Sequence, residues 1–343
     1  MRLFFLCHIS KYFQYIYIGE IGGSMAKGKK AIGISLLSIL ILLLIIIGIV
    51  FGYSYSLYSK VNKVDIDKEY VVEDVDQDYI KQKTKLEKKE GITNIVLLGR
   101  DAVGLSDCIM IVTIKEKDKQ LKLCSIMRDS WVEVPNYGEA IINWAANIGG
   151  AECTIKTINN NFKLKLDKYI ELDLTKLPKI IDKIGGLDFE ITEEESKIIN
   201  SYIDSINELG GTNDPRIDRA GYQHFTGVQA TAYCRIRYTE GTDFRRTERQ
   251  RFILEKIFNK ISKLDVDEIS ELMDYVLPLV GTNLSYNEVI DISTDILSTG
   301  INNIKKDRFP KDGDHWSTWD YGDYQLRFNK EVTSEKINEF IYS

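Results

Sequence analysis

A run of 23 uncharged, mostly apolar residues, Ala31 to Tyr53, constrains the fold of this chain more than any other feature of its sequence. As a helix, such a run is long enough to cross a hydrocarbon core of ~30 Å. A cleaved signal peptide is the alternative, but its apolar part usually has roughly 7–15 residues, and no clear A-x-A cleavage site is present. The sequence therefore predicts an uncleaved transmembrane anchor at residues 31–53.

Three lysines lie directly before this run, within residues 25–30. Because basic residues accumulate on the cytoplasmic side, residues 25–30 are predicted to be a short cytoplasmic segment, and the chain after the anchor is predicted to lie outside the cell membrane. Residues 1–24 are rich in aromatic side chains and fit no core pattern, so we interpret them as an upstream extension. On this interpretation Met25, rather than Met1, is the true start.

Residues 54–91 are polar and charge-rich, and they predict a stalk with one exposed helix. Residues 92–343 remain, which is enough for one large domain with a sizeable core. Short apolar runs typical of buried strands alternate there with helical segments, which predicts an α/β layered domain. A charged turn between two of the strands predicts a hairpin, and hence a mixed central sheet. The predicted strands are 94–98, 108–114, 121–127, 165–172 and 187–191, and the predicted helix before the last of them is 174–184.

Arginine is concentrated in one short stretch, Tyr233 to Gln250, of a chain whose net charge is -6. The planar, permanently charged fork of donors on arginine matches the oxygens of phosphate and carboxylate groups. General basicity cannot explain a local enrichment in an acidic chain, so the stretch indicates a bound anion. The alternative is a solvated surface with ion pairs to acidic residues of the same stretch. The arginines are Arg235, Arg237, Arg245, Arg246 and Arg249.

The spacing within this stretch predicts how the side chains converge. Arg235 and Arg237 are two residues apart and would share one face of a strand. Arg246, Arg249 and Gln250 would share one face of a helix. A strand and a helix N-terminus would then meet at one anion.

Asp101 and Asp107 flank the loop between the first two predicted strands. Mg²⁺ typically takes one or two carboxylates and completes its shell with water and phosphate, so the two side chains predict a metal site at the sheet edge. Aspartates in loops more often cap turns, which is the alternative. Beside an arginine cluster the metal interpretation gains weight, because a metal and guanidinium groups together neutralise a pyrophosphate during phosphoryl transfer.

The pair Arg128-Asp129 follows another strand at the same kind of sheet edge. The pair either belongs to a site there or forms an internal ion pair that orients a loop.

Cysteine and histidine are few, which argues against two kinds of site. No two of the five cysteines have metal-ligand spacing, and three histidines are too few for a histidine-rich zinc site. Exported disulfide frameworks usually have denser cysteines in smaller domains, so no disulfide is predicted. The acidic balance, together with the predicted location outside the membrane, argues against nucleic acid as a partner.

Six segments in order resemble the successive motifs of the LytR-CpsA-Psr family of membrane-anchored cell-wall ligases. The resemblance runs from about Asn94 to about Leu264 and continues more weakly to the C-terminus. Because several motifs occur in the same order, it is specific. The segments are NIVLLGRD, SDCIMIVTI, LCSIMRDSWVEVP, INWAANIGG, IDKIGGLDFEI and CRIRYTEGTDFRRTERQ.

The resemblance implies an extracytoplasmic α-β-α domain that acts at the cytoplasmic membrane. It implies that the domain binds a polyprenyl-pyrophosphate-linked glycopolymer and, with Mg²⁺ or alternatively Mn²⁺, transfers the polymer onto peptidoglycan through a phosphodiester bond. By position, Asp101 and Asp107 would hold the metal. Asp243 would position or deprotonate the acceptor hydroxyl, beside Arg128 and Arg237 as catalytic groups. The residues implied to bind the pyrophosphate and its flanking sugar phosphate are Arg128, Arg235, Arg237, Arg246 and Gln250, with Arg249 beside them.

The chain departs from the family pattern at four positions. Leu105 and Ile142 stand where the family commonly has an arginine and a lysine, and Cys108 and Met127 replace a threonine and a proline. Loss of a phosphate-binding arginine would weaken affinity for the donor or shift donor preference. We interpret the chain as an active enzyme with altered donor contacts.

Two other functions stay open at this point. A non-catalytic, membrane-tethered binder of lipid-linked polymers would need the arginines but not the aspartate pair, and a pyrophosphatase would differ only in using water as acceptor. A lipid donor also needs an apolar groove, which the predicted helix Thr247–Leu264 could line with residues such as Phe252 and Phe258. Ordinary core packing of that helix is the alternative.

Overall fold

The computed structural model describes residues 52–101, 103–237, 242–299, 301, 303–320 and 323–343. The predicted extension at 1–24, the cytoplasmic segment at 25–30 and all but the last two residues of the anchor at 31–53 lie outside the described residues. Within the described ranges, no helix combines the length and the apolar character needed to cross a bilayer.

Strands and helices alternate along the described chain, as the sequence predicts. The strands are β1 (Asn62–Lys63), β2 (Ile92–Arg100), β3 (Ser106–Lys115), β4 (Gln120–Ile126), β5 (Trp131–Val134), β6 (Gly138–Ile141), β7 (Tyr169–Asp173), β8 (Leu187–Ile191), β9 (Gly221–Phe225), β10 (Val280–Thr282), β11 (Asn303–Phe309), β12 (His315–Asp320) and β13 (Asp323–Phe328). The α-helices are α1 (Gln77–Glu90), α2 (Ala145–Phe162), α3 (Leu177–Lys183), α4 (Glu193–Gly210), α5 (Gly227–Arg235), α6 (Thr242–Ile261), α7 (Val266–Val276), α8 (Tyr286–Thr299) and α9 (Lys330–Tyr342).

The central sheet is mixed and, in the described part of the chain, has seven strands in the order β1-β10-β7-β2-β3-β4-β11. The strands β2, β3 and β4 form an antiparallel meander, while β7 adds parallel to β2 and β11 adds parallel to β4. Antiparallel strands can be joined by short turns, whereas the parallel additions need the long connections that carry the helices. The mixed sheet and the hairpin predicted from the charged turn are confirmed.

Helices cover both faces of this sheet. Successive strand residues point to opposite sides, and the central strands have apolar side chains on both, so each face needs a covering layer. Val96 and Leu98 of β2 pack on one side in a core that includes Ile155 of α2 and Ile337 of α9. Residues of the opposite face, such as Ile95, pack with side chains of α6 and α8. Full burial of one such aliphatic side chain stabilises the fold by about 1.5–3 kcal/mol. The result is the three-layer α-β-α arrangement that the family resemblance implied.

A second core lies beside the sheet, among α3 to α7 and the two-stranded hairpin β8–β9. The predicted strand at 187–191 is confirmed, but it pairs with β9 rather than with the central sheet. Within α6, Ile253 is buried in this second core, while Phe258 packs on the sheet side. The core-packing alternative for this helix is therefore observed, and a lipid groove lined by it stays a prediction.

The segment after the apolar run is not a separate stalk, which corrects the prediction for residues 54–91. β1 adds to the edge of the central sheet beside β10, and the Tyr58 hydroxyl donates to the Leu284 carbonyl at 2.8 Å. Val71 is fully buried in the first core. A polar composition hid this packing, because only a few apolar residues in the segment make the contacts. The predicted helix is present as α1.

Candidate functional site

Asp107 lies on a β-bulge at the end of the β2–β3 ladder. Gly99 pairs with Cys108 and Arg100 pairs with Ser106, so one residue of β3 has no partner on β2. Bulges of this kind bend a strand and redirect a side chain, and they are frequent beside active sites. The bulge places the Asp107 carboxylate at the edge of the sheet.

Three guanidinium groups surround the Asp107 carboxylate. Arg128, just beyond β4, donates through Nη1 to Oδ1. Arg246 of α6 places Nη1 3.8 Å from the same oxygen, and Arg237, just beyond α5, places Nη2 3.7 Å from Oδ2. Gln250 joins them through Nε2, which donates to the Asp107 carbonyl at 3.4 Å. Segments that are far apart in sequence therefore converge on one carboxylate.

Two more carboxylates complete the group. Arg246 Nη2 lies 3.0 and 3.1 Å from the two carboxylate oxygens of Asp243, in the first turn of α6. Arg128 Nε lies 3.3 Å from Asp129 Oδ1 and 3.6 Å from Asp243 Oδ1. Three positive and three negative side chains thus alternate, which keeps a partly buried site close to neutral. We call this set the arginine–aspartate cluster; its members are Asp107, Arg128, Asp129, Arg237, Asp243 and Arg246.

The surroundings move the carboxylate pKa values in opposite directions. Burial alone would raise the pKa of Asp107, but the charges of Arg128 and Arg246 outweigh it and hold the pKa below its ordinary value. Burial raises the pKa of Asp129; Arg128 opposes this, and the charge of Asp243 adds to it. Asp107 therefore stays charged, while Asp129 is the more basic carboxylate of the two.

The cluster keeps donor capacity for an anion. The buried Nε atom of Arg246 has no hydrogen-bond partner among the described residues, and that of Arg128 faces Asp129 and Asp243 without making a hydrogen bond. Buried polar atoms are rarely left unpaired, so such atoms mark a place for a ligand. Arg246 is 2% exposed, whereas the side chain of Arg237 is 40% exposed. An anion from solvent would contact Arg237 on the open side and the buried donors behind it.

Asp101 has a different local environment from Asp107. Its Oδ1 accepts from the backbone N–H groups of Val103 and Leu105, at 3.0 and 2.9 Å. The turn-capping alternative is therefore observed for Asp101. Arg100 closes the same loop by donating to the Gly104 carbonyl.

The donor set fits Mg²⁺ only as a site shared with substrate. In the parts of the chain that the structure describes, no group of three or more histidine, cysteine, aspartate or glutamate side chains is arranged to hold a metal ion. Asp107 Oδ2 has its cation contact at 3.7 Å, beyond hydrogen-bond distance, which leaves this oxygen able to bind a metal. Mg²⁺ commonly takes one or two carboxylates and obtains its other ligands from phosphate and water. The assignment of Asp101 and Asp107 as metal ligands stays a prediction.

The structure does not bring Arg235 and Arg249 to the cluster. Arg235 is the last residue of α5 and is exposed, so the predicted strand with Arg235 and Arg237 on one face is wrong. The capping box at Thr226, which starts α5, extends helical structure to Arg235. Arg249 is buried and donates to Glu195 Oε1 at 2.9 Å and to the Ile236 carbonyl at 3.1 Å.

Two residues of α4 support the site without having been predicted. Glu195 holds Arg249, and the hydroxyl of Tyr202 accepts from the Arg237 backbone N–H at 3.0 Å. Through these contacts both hold residues 236–237, directly after α5. The only signal in the sequence was the capping box formed by Thr192 and Glu195, which predicts a helix start but not its partner.

Comparisons with known proteins agree with this architecture. A model described as the LytR_cpsA_psr family matches residues 53–338. A polyisoprenyl-teichoic acid–peptidoglycan teichoic acid transferase, TagU of Enterococcus faecalis, is 29% identical over 299 residues, which cover 84% of this chain and 90% of that protein. The structure of TagT bound to LIIa-WTA has a TM-score of 0.59 at 23% identity and covers 73% of this chain and 89% of TagT. A TagT structure with bound octaprenyl pyrophosphate lipid has a TM-score of 0.55 at 20% identity, over 74% and 91% of the two chains. At these identities the structural likeness shows a shared fold.

Proposed function

The chain belongs to the LytR-CpsA-Psr family, and on that premise we propose that it transfers an anionic glycopolymer from a polyprenyl-pyrophosphate carrier to peptidoglycan. The similar TagU protein is named as a transferase of teichoic acid from a polyisoprenyl-linked form to peptidoglycan, and the matched length covers 90% of it. The related TagT fold binds octaprenyl pyrophosphate lipid and LIIa-WTA. These relatives support a lipid-linked donor and a wall acceptor.

One observation carries the proposal: Arg128, Arg237 and Arg246 converge on the single carboxylate of Asp107. Three guanidinium groups within reach of one point match the oxygens of a diphosphate, because each group can donate two parallel hydrogen bonds. The donor phosphates would take the place that Asp107 now occupies toward these groups. In the free protein the three aspartates balance the charge of the three arginines. When the Asp107 carboxylate moves away from the guanidinium groups, positive charge is in excess around them, and an anionic substrate can bind reversibly.

The proposed reaction is an in-line displacement at phosphorus. A hydroxyl oxygen of peptidoglycan forms a bond to the phosphorus that carries the glycopolymer, and the bond from that phosphorus to the bridging oxygen breaks, which releases polyprenyl phosphate. Arg128, Arg237 and Arg246 stabilise the negative charge that develops on the phosphate oxygens. The hydroxyl proton passes to a carboxylate of the cluster. Asp129, with its raised pKa, accepts it, and Asp243, held by Arg246, positions the acceptor.

A divalent cation fits this scheme. Mg²⁺, when bound, would neutralise diphosphate charge and activate the leaving group, with Asp107 and Asp101 as its protein ligands. Arg128 is the residue that now faces Asp107 most closely, so it would turn toward the phosphates as the carboxylate is freed.

We also propose that the chain acts at the outer face of the cell membrane, held by a single span at residues 31–53. Two observations on the sequence support this: the uncharged run is long enough to span, and the basic residues precede it. A lipid-linked donor is confined to the membrane, so an anchored enzyme meets it in the plane of the bilayer.

The test uses the full-length chain in detergent micelles with a lipid-linked glycopolymer, peptidoglycan fragments and either Mg²⁺ or a chelator. We expect Mg²⁺-dependent attachment of polymer and stoichiometric release of polyprenyl phosphate. Arg237→Ala should reduce transfer at least ~100-fold, the usual range for loss of a group that stabilises transition-state charge. Arg216→Ala is the matched control, because Arg216 is an exposed arginine paired with Asp204 on α4.

The outcomes separate the functions that the sequence left open. Release of polyprenyl phosphate without attached polymer would identify a pyrophosphatase, and donor binding without either product would identify a binder. Normal transfer by Arg237→Ala would contradict the proposed role of the cluster.

A further inference from the structure

An exposed tryptophan packs on a half-buried tyrosine on the hairpin β12–β13. Trp319 is 72% exposed, and its ring packs edge-on against Tyr324, the cross-strand partner, with centroids 5.5 Å apart. Single exposed apolar side chains are ordinary on protein surfaces. An exposed indole that is held in place by a half-buried phenol ring, in contrast, forms a rigid amphipathic surface of the kind that binding sites use.

Both strands of this hairpin are joined to the arginine–aspartate cluster. His315 at the start of β12 stacks on Phe244, with centroids 5.0 Å apart and an angle of 29°, and Phe244 directly follows Asp243. On β13, the Leu326 N–H donates to the Asp129 carbonyl at 2.9 Å. The hairpin therefore extends outward from the two carboxylates to which the proposed function assigns the acceptor.

One face of the hairpin is buried at the cluster end, where Leu326 and Phe328 lie in the core, and opens to solvent at Ser317 and Trp319. Side chains alternate along a strand, so His315, Ser317 and Trp319 share a face, and four residues of rise cover ~13 Å. Between the ends of this row, the Ser317 and Tyr324 hydroxyls lie 2.9 Å apart. Flat apolar ring faces beside hydroxyl groups match a sugar ring, which has an apolar C–H face and a rim of hydroxyls.

The hairpin follows the edge strand of the central sheet that is opposite to the edge formed by the segment after the apolar run. It comes directly after β11, one edge of the central sheet, while β1 forms the opposite edge. Six spacings of ~4.8 Å place these edges ~29 Å apart. The lipid part of the donor would approach from the anchored side, so the far side suits a partner that comes from the wall.

We propose that the outer part of this face, formed by Ser317 and Trp319 with Tyr324, is the acceptor subsite and binds sugar rings of the peptidoglycan glycan strand. This inference rests on the proposed function and names where the second substrate binds. The subsite aligns the glycan strand so that one of its hydroxyls meets the phosphorus at the cluster.

The test compares Trp319→Ala with two matched variants in the full-length chain in detergent micelles. Trp316→Ala removes the other exposed tryptophan of β12, which is 55% exposed and lies on the opposite face beside Arg327. Tyr222→Ala removes an exposed aromatic residue from the separate hairpin β8–β9. We expect Trp319→Ala to raise the KM for peptidoglycan fragments about tenfold, the ratio that corresponds to loss of one stacking contact. The KM of Trp319→Ala for the lipid-linked donor should stay within about twofold of the wild-type value. The two control variants should keep both KM values, for peptidoglycan fragments and for the donor, within the same range.

A second measurement does not depend on catalysis. Wild type should cosediment with purified peptidoglycan that lacks attached glycopolymer, and Trp319→Ala should remain largely in the supernatant. If wild type binds peptidoglycan but transfers nothing, and Trp319→Ala no longer cosediments, the proposed function fails and the subsite stands. An unchanged acceptor KM with unchanged cosedimentation for Trp319→Ala overturns the inference. A raised KM for the donor alone also overturns it, because the face would then bind the sugars of the donor polymer, and so does an equal effect of Trp316→Ala.

Discussion

Arg249 tests whether the arginine-rich stretch contains structural as well as substrate-binding residues. Its side chain is 7% exposed, and Nε donates to Glu195 Oε1 at 2.9 Å while Nη1 donates to the Ile236 carbonyl at 3.1 Å. The guanidinium also lies over the Tyr233 ring, 5.6 Å from its centroid. Arg249→Ala would remove these contacts and leave Glu195 buried without the guanidinium group that it now pairs with.

The loss should be large. Removing one partner of a buried ion pair usually costs about 3–5 kcal/mol, because the other charge is left uncompensated. For a domain of this size, 1 kcal/mol corresponds to ~2–4 °C, so the melting temperature of Arg249→Ala should fall by about 6–20 °C. Arg245→Ala is the control. The side chains of Arg245 and Glu248, which form an ion pair, are each 58% exposed, and such a surface pair contributes about 0–1 kcal/mol to the free energy of unfolding.

The assay is thermal unfolding of the full-length chain in detergent, together with binding of the lipid-linked donor at a temperature where each variant is folded. We expect folded Arg249→Ala to lose less donor affinity than Arg237→Ala does, because Arg249 only holds the residue next to Arg237, and we expect Glu195→Ala combined with Arg249→Ala to lose less stability than the sum of the single variants. An unchanged melting temperature combined with lost donor binding would refute this reasoning, and would place Arg249 with the substrate-binding arginines as the sequence predicted.

Two other predictions follow from close contacts and from charge. A Cβ at Gly227 would lie 1.8 Å from the Pro178 carbonyl oxygen, so Gly227→Ala should separate α5 from α3 and lower the free energy of unfolding by about 1–3 kcal/mol or more, as measured by denaturant unfolding. Asp107→Asn should destabilise the fold at neutral pH by roughly 1–3 kcal/mol, because it removes the charge that faces three guanidinium groups. Since the folded pKa of Asp107 lies below its ordinary value of 3.8, this stability is present above that value and is lost as the pH falls through the folded pKa. Unfolding curves of wild type and Asp107→Asn should therefore converge in acid, and a gap that widens there would contradict the assignment.

The central strands were predictable because their signal is local. The runs 94–98, 108–114 and 121–127 are buried on both faces, and continuous apolar residues mark such strands without any knowledge of their partners. Which strands pair with each other was harder to predict from the sequence. The run at 187–191 alternates apolar and acidic residues and is buried on one face only, and its pairing with β9 outside the sheet depends on contacts distant in sequence.

The sequence predicted which residues form the site better than it predicted how these residues are arranged. Arg128, Arg237, Arg246 and Gln250 all approach Asp107, and the family motifs had placed them in one group. The motif could not reveal that a helix ends at Arg235, since two alternating arginines fit a strand equally well. Nor could it reveal Glu195, which lies more than fifty residues from Arg249 and meets it only through the tertiary fold.

The chain packs on the domain within a few residues after the apolar run, and this packing limits how far the domain can move from the membrane. β1 is hydrogen-bonded to the sheet, and Tyr58 is tied to Leu284, so little free linker separates Tyr53 from the body of the domain. If the apolar run spans the bilayer, the height of the reaction centre above the lipid headgroups is a fixed dimension of the protein rather than an average over linker conformations. Only wall material that comes within that height can be modified, which would make the thickness of the gap between membrane and wall a determinant of where polymer is attached.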